Sequence, residues 1–152
     1  MMTEGRDSVT ALLLVRRAVG TGERDVAALL RGVPLDAVEV ADLMRHHRVL
    51  VLCDLTLPPA APPVAVAAFR LHRRAGTAQL AGLGVAAHLC RKGLARRLLT
   101  SALMVLRAEG FERVQADAAP GGAGASLLTS IGFTADHGTV RADDRTRLVL
   151  LL

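Results

Sequence analysis

The chain has 152 residues, 51% of them hydrophobic, with three Phe, no Trp or Tyr, and a formal net charge of +5. That length suits one domain, 1–152, with an aliphatic core and a short flexible start over 1–8; it leaves no room for a second domain and the composition excludes general disorder. Apolar runs broken by charge or proline before 18 residues exclude a transmembrane helix, and scarce aromatics with basic residues mostly scattered singly or in pairs argue against a nucleic-acid groove.

In chain order, Val9 to Val15 is β-prone, and Thr21 is placed to cap a helix that turns Val26, Leu29 and Leu30 inward and stops at Gly32. Asp36-Ala37-Val38-Glu39 has capping-box spacing, so a second helix with Val40, Leu43 and Met44 on its apolar face should end near His46-His47. Arg48 to Leu55 reads as a strand, Pro58 to Pro63 as an extended connection, Val64 to His72 as a strand, and Gly76 as a turn into a strand over Ala78 to Ala86. Three successive strands without a helix predict an antiparallel meander.

Ala95, Leu98, Leu99, Ala102, Leu103 and Leu106 fall on one face of a third helix, which Gly110 closes. Phe111 to Ala118 reads as a strand. Leu127, Leu128 and Ile131 stripe a fourth helix that ends at Gly132. A strand from Phe133, a polar turn at Asp143-Asp144 and a strand over Leu148 to Leu152 complete the chain. The order predicts an α/β layer fold: a mixed central β-sheet flanked by about four helices. The consecutive apolar residues of the last strand suit either an exposed edge that pairs in a homodimer or a strand covered wholly within the monomer.

The turn Cys90-Arg91-Lys92-Gly93-Leu94-Ala95 joins an apolar strand to the third helix. Unpaired N–H groups at the helix start, the macrodipole, and Arg91, Lys92, Arg96 and Arg97 together favour a phosphate-bearing ligand. Lys92 is the only lysine in the chain. Cys53 and Cys90 read as reduced thiols, and with no leader recognised before the first strand the cytoplasm is the expected compartment. His46-His47, Cys53 and His137 lack metal-ligand spacing, so no metal is expected.

The element order, this turn, and Ile131-Gly132-Phe133 resemble the GNAT superfamily of acyl-CoA-dependent N-acyltransferases, over about Leu12 to Leu152. The resemblance implies acetyl-CoA, or another acyl-CoA, as co-substrate. Its pyrophosphate would lie on the amides of Cys90, Arg91, Lys92, Gly93, Leu94, Ala95 and Arg96. Leu83-Gly84-Val85 would supply the adjoining strand, with Val85 N–H on the acyl carbonyl. Gly93 and Ala95 match the last two signature positions, whereas Cys90 stands where Arg or Gln is usual and Arg91 where Gly is common.

The catalytic positions depart further. The family often has Tyr where Leu128 stands, Asn where Gly121 stands, and in some members a Glu base where Gln79 stands. The remaining candidates are His88, Ser126, Ser130 and Asp117, with His72 the other histidine expected near the cleft. Each has a structural reading beside the catalytic one: surface or hydrogen-bonded histidines, helix-surface serines, and a salt-bridged or capping aspartate. Cys90 at a helix N-terminus has no His-Asn pattern to make it a nucleophile. The function expected is transfer of an acetyl or short acyl group to a primary amine on a small molecule or peptide. The alternative is a catalytically degenerate acyl-CoA sensor or partner subunit.

Overall fold

The computed structural model describes residues 13–18, 25–26, 29–30, 42, 44–58, 60–86, 93–119, 121–136 and 145–152. Seven strands form one sheet: β1 (Leu13–Arg17), β2 (Arg48–Asp54), β3 (Ala65–His72), β4 (Thr77–Val85), β5 (Arg113–Ala118), β6 (Thr134–Ala135) and β7 (Thr146–Leu151), in the order β1-β2-β3-β4-β5-β7-β6. All neighbours are antiparallel except β4 and β5. That parallel pair needs a crossover, and helix α1 (Leu94–Ala108) supplies it. Helix α2 (Ala123–Ile131) joins β5 to β6.

The expected meander is present as β2-β3-β4, because each connection is too short for a crossover. The first strand lies over 13–17, two residues beyond its expected end, while 9–12 fall outside the described residues. Of about four expected helices, two have full bounds; Asp25, Val26 and Leu29 are helical, as are Asp42 and residues 44–46, where the first two were expected. Among the described residues no helix is long and apolar enough to cross a membrane.

The C-terminal strand corrects an expectation. β7 lies between β5 and β6, not at an edge. Its Leu148 is buried in the main core, while Leu150 and Leu151 lie past the short β6 ladder and Leu151 is 77% exposed. The two outer strands are β1 and the short β6.

The core has two parts, one on each face of the sheet. Leu98, Leu99, Ala102, Leu103 and Leu106 of α1 pack with Leu50, Leu52, Ala65, Ala67, Phe69, Val114, Leu128 and Leu148. Each large apolar side chain so buried contributes about 1.5–3 kcal/mol. On the opposite face Val26, Leu29 and Leu30 pack on Val49, Val51, Val66 and Ala68. Alternate residues of β2 and β3 therefore serve different layers, as the two-residue strand period requires.

Candidate functional site

β4 and β5 part company midway. Their ladder runs from Thr77↔Arg113 to Leu80↔Ala116 and stops, while residues 82–85 remain paired with β3, ending at Ala65↔Val85. The register on β3 passes from Ala68↔Gly82 to Phe69↔Leu80, which leaves Ala81 unmatched as a bulge. A bulge sharpens the local twist and turns β4 away from its parallel neighbour.

A cavity of about 420 Å³ fills the opening. It is lined by residues 79–83 of β4, residues 116–119 of β5 and its continuation, Gly124 and Leu128 of α2, and Arg145 ahead of β7. Its walls are mostly small or aliphatic, and Gln79, Asp117 and Arg145 supply the charged and amide groups. A second, more open hollow of about 510 Å³ lies along β6 and β7, bounded by Arg113, Gly132 and residues 149–151. The hollow along β6 and β7 does not involve β4 or α1.

Beyond the cleft stands the N-terminus of α1. Gly93 occupies its cap in the left-handed region at φ +76°, no side chain among the described residues caps the helix, and its first turn holds no acidic residue. A β-carbon at Gly93 would meet no atom of the described residues within 4 Å. The N–H groups of the first turn, with no cap among the described residues, stand at the positive end of a helix of 15 residues. Leu94 and Ala95 begin that helix, with Leu94 packed against the main core. Cys90, Arg91, Lys92 and His88 lie outside the described residues.

Arg96 is engaged elsewhere. Its Nη1 donates to Ser130 Oγ at 2.7 Å and its Nη2 to the Ser130 carbonyl at 3.3 Å, while Ser130 Oγ donates to the Leu127 carbonyl at 2.7 Å. The arginine ties the start of α1 to the last turn of α2, and the Ser130 proton is directed at a backbone oxygen. Ser126 is exposed on the same helix. Leu83 lines the cleft, and Val85 packs against the core from the end of β4.

Asp117 lines the cleft and is paired across the sheet with Arg147, whose Nε donates to Asp117 Oδ1 at 3.1 Å. His72 pairs with Thr77 at the end of β4 remote from Val85, so the expectation of a histidine near the cleft fails for it. Leu128 is 4% exposed and shared between the cleft wall and the core. Small residues that no motif marks complete the cleft, notably Ala118, Ala119 and Gly124; only the folded splay brings them together. Among the described residues no group of three or more His, Cys, Asp or Glu is placed to hold a metal.

A central sheet split after a bulge, with a helix N-terminus beyond the split, agrees with the family model: that of the acetyltransferase (GNAT) family matches residues 38–133. The chain belongs to the GNAT family. Solved GNAT-fold structures superpose on nearly its whole length. The ribosomal-protein-S18-alanine N-acetyltransferase of Escherichia coli matches at TM-score 0.74 and 16% identity, covering 91% of this chain and 93% of its own. A Bacillus subtilis acetyltransferase in complex with CoA matches at 0.73 and 15%, covering 92% and 99%. A GNAT family N-acetyltransferase of Escherichia coli in complex with CoA matches at 0.70 and 20%, covering 91% and 81%. At these identities the likeness is one of fold. A search of curated proteins finds no match.

Proposed function

We propose that this GNAT protein transfers an acetyl or other short acyl group from acyl-CoA to a primary amine. The observation that carries the reading is the parting of β4 from β5 after Leu80↔Ala116, which opens the cavity beside the uncapped start of α1. The donor fits these residues. An anionic group would meet the N–H groups of Leu94, Ala95 and Arg96, with Gly93 free of a side chain to obstruct it. The neighbouring solved structures with CoA support the same donor.

Acyl-CoA, when bound, supplies an acyl carbon that takes the amine lone pair as its C–S bond breaks and the thiolate leaves with that pair. The protein's part is positioning. Val85 N–H at the free end of β4 would orient the acyl carbonyl. Leu80, Leu83 and Leu128 would exclude water from the reacting atoms. The amide of Gln79 cannot take a proton at neutral pH, and the carboxylate of Asp117 is held by Arg147, so the amine proton would pass to water.

One observation favours the second reading, a binding protein without turnover: the cleft wall carries Leu128 and Gln79 where family members often have a hydroxyl and a carboxylate. A single assay separates them. Acetyl-CoA at about 100 Kd should stabilise the fold by about 2.7 kcal/mol and raise Tm by several degrees. Release of free thiol with an amine panel then supports the transferase, and stabilisation without release supports the sensor. No shift at millimolar acetyl-CoA would overturn both.

A further inference from the structure

The cleft between β4 and β5 has two unlike sides. Ala116 is buried in the main core, and Leu80, Leu83 and Ala118 pack against it, so these residues lie on the face of the sheet that α1 and α2 cover. Gly124 and Leu128, four residues apart on one face of α2, line the cleft from that same side. Strand alternation sends Gln79 and Asp117 to the opposite side. One side of the cleft is therefore aliphatic and the other polar.

The backbone sets the direction in which a donor enters. Ala86 N–H donates to the Val64 carbonyl at 2.9 Å, so the N–H of Val85 faces away from β3, into the split. As the crossover between parallel strands, α1 starts past that end of β4, and a donor anchored there carries its acyl group down β4, from Val85 toward the last rung at Leu80↔Ala116. Leu83 is two residues, about 7 Å, from Val85, and an extended chain advances about 3.4 Å for every three bonds. An acetyl methyl stops one bond past its carbonyl, whereas a chain of about six carbons reaches Leu83 and the aliphatic side.

We propose that the aliphatic side of the cleft is an acyl-chain subsite, and that the donor is an acyl-CoA with a straight chain of about six carbons rather than acetyl-CoA. The inference rests on the donor assignment above and deepens it. Small residues make the room: Ala116, Ala118 and Gly124 stand where larger side chains would fill it, and a β-carbon at Gly124 would meet, beyond its own helix backbone, no atom of the described residues within 4 Å. Leu80, Leu83 and Leu128 give the chain apolar surface to bury, and none of these residues offers a side-chain group that would hold a polar tail. The rung Leu80↔Ala116 closes the far end, five residues or about 17 Å from Val85, and so bounds the chain.

The test measures the affinity of the full chain for acetyl-, butanoyl- and hexanoyl-CoA by calorimetry, which needs no turnover. Each methylene that enters the subsite should tighten binding about fourfold, so hexanoyl-CoA should bind about tenfold tighter than acetyl-CoA or better. Gly124→Leu fills the subsite and replaces a helix glycine with a better helix former, so it should keep the fold and bring the hexanoyl-to-acetyl ratio close to one. Both donors share the CoA moiety, so a general weakening of CoA binding cancels from that ratio. If Gly124→Leu binds neither donor, Ala118→Leu on β5 supplies the same reading. Met104→Ala, exposed on α1, should leave the ratio as in the wild type. A wild-type affinity that is level or falls with chain length, or a ratio unaltered by filling the subsite, overturns the proposal. Release of free thiol with the amine panel reports separately on transfer: graded affinity without release supports the subsite and overturns the transferase reading.

Discussion

Gly84 lies directly beneath the carbonyl of Leu29: a β-carbon at residue 84 would stand 1.5 Å from that oxygen. The helical segment that includes Leu29 therefore rests on the bare backbone of β4, one residue before Val85. Gly82 makes a milder version of the contact, its missing β-carbon 3.0 Å from the end of the Leu30 side chain.

Gly84→Ala is accordingly expected to destabilise the fold by about 3 kcal/mol or more, because backbone must move to admit the methyl group. Gly82→Ala meets only a flexible side chain and should cost about 1 kcal/mol. Thermal melts of the two variants side by side check the contrast. Equal losses would mean that the segment is not seated through Gly84.

Gly93→Asp places a carboxylate against the N-terminus of α1, where an anionic ligand would sit. The left-handed φ of +76° adds backbone strain of about 1 kcal/mol, so Tm should fall by about 2–4 °C even though nothing obstructs the side chain. Gly93→Ala carries similar strain without the charge. Stabilisation by acetyl-CoA should vanish in the Asp variant and persist in the Ala variant, as read by thermal shift.

Arg48, 9% exposed at the start of β2, donates to Glu109 at the end of α1, Nη2 to Oε1 at 3.1 Å, and Arg73 reaches the same carboxylate at 3.4 Å. The hydrogen bond from Arg48 leads the causes that hold the Glu109 carboxyl below its ordinary value of 4.5. A pKa lower in the folded than in the unfolded state stabilises the fold fully above the ordinary value, and the benefit disappears as pH falls through the folded one. Glu109→Gln should then cost about 1–3 kcal/mol at neutral pH, since it leaves the buried Arg48 guanidinium poorly paired. Melts across pH should show wild type and variant converging in acid.

Leu128→Tyr restores a hydroxyl on the cleft wall. Because Leu128 is also part of the core, the larger ring should cost about 1–3 kcal/mol in stability. General acid help is typically worth about 10²–10⁴-fold, and a residue grafted without its supporting contacts recovers only part. If the protein is a transferase, kcat should rise with little change in KM for acetyl-CoA. A lower kcat in a well-folded variant would assign the leaving-group proton to another donor.

The cleft was only partly legible from the chain. Gly93, Ala95 and the Leu-x-Val stretch mark the start of α1 and the end of β4, because a helix start and a strand end are local events, readable in a few residues. Arg96 reads equally well as a phosphate partner until α2 is in place, and only then does Ser130 appear within 2.7 Å of it. Gln79 is visible as a departure from the family pattern, but nothing near it in sequence announces Arg70 or Gln115 as its neighbours.

What the amino-acid sequence determined by itself was the kind of several elements and the way they face: the apolar period of α1, the meander of β2, β3 and β4, and the glycines that follow α1 and α2, Gly110 and Gly132. These depend on interactions within one turn or one strand, so composition and spacing suffice. Strand order was decided by tertiary structure alone, with β7 between β5 and β6 although its apolar run suits an edge as well as an interior. So were the parting of β4 from β5 and the ion pair of Arg48 with Glu109, 61 residues apart. Such partners are chosen by the packing of the whole sheet, because a donor or an open strand edge accepts many partners and only the fold brings one within reach.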